Sequence, residues 1–248
     1  MSLQKLLSLI NSLCGVSGIG EGKEMHDKGL IPVLIGSYYS FSPQLYEQAA
    51  LDFPMMQRSW LSGVGHTSAD ICRVLETADS RRTVLLSGVI RMACMDFARG
   101  VSVPFPNSVI RPMSSGSPPA ANYRFPSVVV PESAPEGSFS TTVKVRYEDV
   151  DFHWHSNFAS YVAFVLECAA QAVEAGYCSR IRADIAFYRA LSLACVHLGQ
   201  SFAGDDLNVS MWEDSGNAML LHFLITRERQ RIYYIKIEYE DNAIISKL

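Results

Sequence analysis

The sequence predicts an α+β protein made twice on one plan, two curved antiparallel sheets each wrapped around its own central helix. Three observations predict it. Two apolar helical segments, Leu3–Leu13 and Asn157–Gly176, are each followed by about four strand-like stretches. A span dense in proline, serine and glycine, Pro112–Ser138, separates the two sets. Of 248 residues, 48% are hydrophobic and 19% charged, so the chain can bury a sizeable core.

In the first half, Leu3, Leu6, Leu7, Ile10 and Leu13 fall at helical spacing, with Ser8, Asn11 and Ser12 on the other face. This pattern favours a core helix over a signal peptide, and Cys14-Gly15 ends it. Strand-like stretches follow at Ile31–Phe41, Pro54–Glu76 and Arg81–Phe97, with a short last piece at Val101–Phe105. In the second half, Thr141–Tyr147 alternates as a strand. Phe158, Tyr161, Val162, Val165, Ala169, Ala172 and Val173 then mark a helix that stops at Gly176. Ala183–His197, Leu207–Glu213, Ala218–Arg227 and Gln230–Tyr239 read as strands, with Ser215-Gly216-Asn217 as a hairpin turn. The first half has no counterpart of the strand and loop before the second helix. The expected domains are therefore a truncated unit at 1–111, a linker at 112–138 and a fuller unit at 139–248.

The net charge of −4 and the scattered basic residues show no stripe that would track a phosphate backbone, so no nucleic-acid partner is expected. No apolar run reaches membrane-spanning length. Six cysteines without a CxxC pair, mostly among apolar neighbours, fit free thiols in a reducing compartment, and the expected location is cytoplasmic.

The chemistry is concentrated between Arg146 and Asn157. Asp149, Asp151, His153 and His155 alternate there and run directly into a helix that Ser156 or Asn157 can cap. The first amides of a helix lack intrahelical partners and carry positive potential. A carbonyl oxygen placed against them is polarised, and a carboxylate a few residues upstream can attack that carbonyl or activate water.

The stretch Asp149-Val-Asp-Phe-His-Trp-His-Ser-Asn-Phe-Ala-Ser-Tyr161, with Glu167 beyond it, resembles the signature of hotdog-fold acyl thioesterases. It is similar to the 4-hydroxybenzoyl-CoA thioesterase group and to the plant acyl-carrier-protein (ACP) thioesterases. The plant pattern is Asp-x-Asp-x-Asn-x-His-x-Asn-Asn followed by an aromatic residue. Trp60–Ile71 and Met92–Pro106 resemble central and final strands of the same fold. The resemblance implies a double hotdog with its catalytic motif only in the second half, acting in fatty acid metabolism. It also implies that the acyl-pantetheine arm lies in a groove between two hotdog units. His153 departs from the plant pattern's asparagine, Ala190 from its later glutamate, and Trp154 from the small residue common before the motif histidine.

The expected function is hydrolysis of an acyl thioester, acyl-CoA or acyl-ACP. Asp151 is the base or nucleophile, and helix amides near Asn157 hold the oxyanion. His155 orients the carbonyl or the aspartate, and Asn157 caps the helix or joins the catalytic set. Asp149, His153 and Glu167 are candidate supporting residues. His66, Thr67 and Ser68 are candidate groove residues beside the plainer reading of an ordinary strand. Arg81, Arg82 and Arg189 are candidate phosphate contacts. No metal or redox cofactor is expected beyond the CoA or ACP pantetheine carried by the substrate, and assembly into a homo-oligomer is left open. Two alternatives stand beside this reading. One is an inactive acyl-CoA-binding or scaffold protein on the same fold. The other is a metal site, since an extended segment would project Asp149, Asp151, His153 and His155 from one face.

Overall fold

A computed structural model describes residues 23–47, 54–114, 124–151 and 154–244. The helix expected over Leu3–Leu13, part of the linker and His153 lie outside the described residues. The chain divides into two compact units, one over Leu13–Ser127 and one running from Val128 onward.

The first unit contains a short helix α1 (Lys23–Asp27) and strands β1 (Leu30–Phe41), β2 (Met55–Val64), β3 (Ser68–Thr77), β4 (Val84–Asp96) and β5 (Val101–Val103). The order across its antiparallel sheet is β2-β3-β4-β1. Strand β3 pairs with β4 up to Ala93, and β5 continues that side from Cys94. The stretch expected as one strand over Pro54–Glu76 is two, because the chain turns at Gly65, whose amide donates to the Ser68 carbonyl at 2.7 Å. A helix α2 (Asn107–Ser114) occupies the start of the expected linker. Its first turn forms because the Pro106 carbonyl accepts from the Val109 and Ile110 amides, so Pro112 falls inside the helix that it was expected to exclude.

In this sheet, burial on both faces of β4 makes it the central strand. Leu86, Ile90 and Met92 are fully buried, and Trp60, Cys72, Val74 and Val89 form a cluster capped by Phe125. Asp70 and Arg91 are cross-strand partners and form a two-pronged ion pair at 2.7 and 2.8 Å, with the Phe125 ring 4.7 Å from the guanidinium.

The second unit runs β6 (Phe139–Lys144), helix α3 (Phe158–Glu174), β7 (Tyr188–His197), β8 (Asp206–Glu213), β9 (Leu220–Arg227) and β10 (Gln230–Ile244). Its antiparallel order is β7-β10-β9-β8-β6. Register carries one apolar row across all five strands: Phe139, Met211, Phe223, Ile235 and Cys195. The next row joins Thr141, Val209, Ile225, Tyr233 and His197. Because strand side chains alternate, both rows lie on one face. Helix α3 is tied to that face. Cys168 Sγ reaches the Val209 carbonyl at 3.5 Å, Thr141 donates to Gln171 at 2.9 Å, and Tyr161 stacks on Tyr233 at 4.4 Å. The helix's apolar side, with Val165, Cys168, Ala169 and Ala172 fully buried, explains its place there. It ends where Gly176 turns left-handed at φ +70°, a conformation glycine adopts without a Cβ clash.

Several expected boundaries move, and β10 runs on to Ile244 past the expected end at Tyr239. Strand β6 ends at Lys144, because Tyr147–Asp149 winds into a 3-10 turn. Strand β7 begins at Tyr188 rather than Ala183, because the Asp184 side chain accepts from the Ala186 amide and starts a 3-10 turn over Ile185–Phe187.

Candidate active site

Between β6 and α3 the chain makes two tight reversals. In the first, Asp149 caps its own turn, its carboxylate accepting from the Arg146 amide at 2.7 Å. In the second, Val150 and Ser156 pair as a bridge, the Asp151 amide donates to the His155 carbonyl at 2.9 Å, and the Trp154 amide donates to the Asp151 carbonyl at 2.9 Å. The reversal puts Trp154 at φ +66°. For a residue with a Cβ that conformation costs about 1–2 kcal/mol. The indole stands 59% exposed with its ring against Tyr147, so it lies on the surface rather than under the hairpin.

These reversals change one premise of the metal alternative. Of the four, the described positions 149, 151 and 155 do not share an extended segment, since a 3-10 turn at Tyr147–Asp149 and the left-handed Trp154 interrupt it. Among the described residues no group of three or more His, Cys, Asp or Glu side chains converges as metal ligands would.

The hairpin is fastened to the helix start by small polar groups. The Asn157 amide donates to the Asp149 carbonyl at 3.2 Å, and Ser160 Oγ donates to the same carbonyl at 2.8 Å. Asn157 is the N-cap, its Oδ1 accepting from the Ser160 amide at 3.0 Å. Beneath lies a buried chain of hydroxyls. Ser201 Oγ donates to Ser156 Oγ at 2.8 Å and, having one proton, accepts from the Tyr161 hydroxyl at 2.9 Å. The Ser201 amide in turn donates to that hydroxyl at 3.1 Å. Burial raises the Tyr161 pKa, so the phenol keeps its proton.

Under the first helical turn sits His197. Its ring is edge-on to Tyr233 at 4.4 Å and lies 6.3 and 6.4 Å from Phe158 and Tyr161. The Nε2 is sealed from solvent and has no hydrogen-bond partner among the described residues. Burial pushes the imidazole pKa down to about 3, so it is neutral.

The sequence-predicted residues separate as follows. Asp149, Asp151, His155 and Asn157 come together in the hairpin and helix cap. The His155 ring packs edge-on against Phe202 at 5.1 Å, and its backbone bridges Phe202. Glu167 lies three turns up the exposed side of α3, 3.5 Å from Gln171 Nε2, and is not part of this cluster. His66 is exposed in the β2–β3 turn and Ser68 opens β3, both in the first unit. Arg189 reaches Glu240 at 3.5 Å, and Arg82 sits in a turn at φ +47°. Ala190 is buried in β7. Sequence reasoning missed Ser160, Ser201 and His197. Ser201 is far along the chain from the motif, and no local pattern ties it to Ser156.

The donors left at the helix start are few. Among the described residues, the Ala159 amide and Asn157 Nδ2 have no partner. Unpartnered N–H groups at a helix start are the kind of donor that can stabilise developing negative charge.

Residues 132–241 match the family described as the acyl-ACP thioesterase C-terminal domain. Comparison with curated protein sequences finds no match. In fold, the chain is similar to the 12:0-ACP thioesterase from Umbellularia californica, with TM-score 0.69 and 12% identity over 96% of this chain and 88% of that one. It is also similar to an acyl-ACP thioesterase from Bacteroides thetaiotaomicron, with TM-score 0.66 and 14% identity over 96% and 87%. The family match thus falls within the second unit, and the likeness to the two solved structures is one of fold, extending over nearly the whole chain.

Proposed function

We propose that this protein hydrolyses an acyl thioester, acyl-ACP or acyl-CoA, at the hairpin and helix start of its second unit, within a double hotdog whose sheets each wrap a central helix. The observation that supports the reading is the pairing of Val150 with Ser156 and of the Asp151 amide with the His155 carbonyl, which keeps the Asp151 backbone next to the start of α3. A left-handed Trp154 in that hairpin is strain of the kind that chains keep where geometry matters. In the proposed reaction, Asp151 takes a proton from water as the water oxygen attacks the thioester carbonyl. The Ala159 amide and Asn157 Nδ2 receive the developing oxyanion, and His155 helps orient the carbonyl. Collapse breaks the C–S bond, the thiolate takes the proton, and a carboxylic acid and a free thiol leave. With Asp151 as nucleophile instead, an acyl-aspartyl anhydride forms first and water then cleaves it. Neither route needs a metal or redox cofactor.

The test is thiol release from acyl-ACPs and acyl-CoAs of graded chain length by wild type and Asp151→Asn. The variant is expected to lose about a hundredfold or more in kcat with its Tm held. Equal rates would remove Asp151 from the mechanism. The alternative of an acyl-binding protein without turnover draws on Ala190, buried where the plant pattern has its glutamate. Saturable acyl-CoA binding with no thiol release at any chain length would favour it.

A further inference from the structure

On the sheet face opposite α3, the second unit has a cavity of about 660 Å³. The side chains of Trp212, His222 and Tyr234 belong to positions that alternate with the helix-facing row of Met211, Phe223 and Ile235. Within this unit the cavity is therefore on the other side of the sheet from α3. Its size is in the usual range for small-molecule sites, about 300–1,000 Å³.

The lining has a consistent polarity. Tyr177, Trp212 and Tyr234 line it together with the acidic residues Glu136, Glu213 and Asp214, and no lysine or arginine is among the described residues that line it. The Lys236 charge reaches His222 without lining the cavity. Three side chains form a directed chain: Asp214 Oδ2 lies 3.2 Å from His222 Nε2, and His222 Nδ1 lies 2.7 Å from the Tyr234 hydroxyl. The Gly216 amide, then the His222 contact, hold the Asp214 pKa low, so this group is ionised and can only accept. Burial lowers the His222 pKa, and burial followed by the Asp214 charge raises that of Tyr234 to about 12. The neutral ring thus donates from Nε2 to Asp214 and accepts at Nδ1 from the Tyr234 hydroxyl. Tyr234 spends its one proton inward, so what its oxygen can offer a guest is a lone pair.

We propose that this cavity binds a protonated organic amine with an apolar portion. The ammonium group would donate to the Tyr234 oxygen and sit among the carboxylates and aromatic faces, which attract a cation. The apolar portion would fill the side lined by Val129, Pro131 and Pro135.

The probes are benzylammonium and its neutral counterpart, benzyl alcohol, titrated into the full chain by NMR with ¹⁵N-labelled histidine and by tryptophan fluorescence. Benzylammonium is expected to bind at least tenfold more tightly, with His222 protonated at Nε2 before ligand is added. Asp214→Asn should reverse the chain. With an amide in place of the carboxylate, His222 accepts at Nε2, donates from Nδ1, and frees the Tyr234 proton toward the cavity. Benzylammonium affinity should then fall at least tenfold while that of benzyl alcohol holds. Tyr234→Phe removes the lone pair without touching the Asp214 turn and should give the same loss, which guards against a folding defect in the first variant. Equal affinity for the two probes, binding of neither, an Nδ1-protonated resting ring, or unchanged amine binding in both variants would each overturn the proposal.

Discussion

Asn157 uses the two ends of one amide differently. Its Oδ1 caps α3 through the Ser160 amide, while its Nδ2 is left without a partner among the described residues. Aspartate caps as well as asparagine does but has no N–H to give. Asn157→Asp is therefore expected to keep the wild-type Tm and lower the thioesterase kcat. Asn157→Ala should lose both kcat and about 1 kcal/mol of stability in urea unfolding. Equal activity of the aspartate variant and wild type would take Nδ2 out of the oxyanion site. His197 makes a prediction about pH. Burial holds its pKa at about 3, whereas the unfolded imidazole takes up a proton near ~6.5. Between those values the unfolded chain binds more protons, so stability falls as pH drops through that window, by about 2 kcal/mol at pH 5 for this group. His197→Phe keeps a ring beside Tyr233, and its loss of stability between pH 7 and pH 5 should be smaller than that of wild type. Parallel losses would show that the imidazole does not contribute. At this scale the sequence could name Asn157 as a cap, because residue type and position before an apolar helical run are local signals. It could not mark His197, whose chemistry comes from Phe158, Tyr161 and Tyr233 closing around it.

Among the elements, β4 shows how closely the first sheet is packed. A Cβ at Gly88 would meet the Tyr39 ring at 2.4 Å and the Tyr38 carbonyl at 2.7 Å. Tyr39 is fully buried and is the cross-strand partner of Gly88, so the ring has no room to retreat. Gly88→Ala is expected to cost about 1–3 kcal/mol, read as a lower urea midpoint. An unchanged midpoint would mean that β1 and β4 can part at this pair. The strands and α3 were legible because their apolar residues recur at two or at three and four. The Tyr147–Asp149 turn and the hairpin at Asp151 were not, because Val150↔Ser156 and His155↔Phe202 are single bridges with no repeating pattern. Helix α2 was hidden by Pro112, which reads as a breaker unless the Pro106 carbonyl is known to start the turn before it.

At the scale of the whole molecule, two units each present an antiparallel sheet, and the residues proposed for thioester cleavage all come from the second. No helix among the described residues is long and apolar enough to cross a membrane. The proposed reaction uses a carboxylate and N–H donors alone. Prolonged dialysis against a chelator is therefore expected to leave thioesterase turnover within about twofold, and loss of activity restored by a divalent ion would contradict the cofactor-free route. Residue order alone determined that the chain folds into strands and a buried helix, and that an Asp-rich segment leads into that helix, because periodicity and capping act over a few neighbours. Only the tertiary structure decided that Ser201 reaches Ser156 and Tyr161, that the Trp154 indole faces solvent, and that Asp214, His222 and Tyr234 line up on the far face of the sheet. Those contacts join positions distant in the chain, and strand register, set by burial of a whole face at once, brings them together.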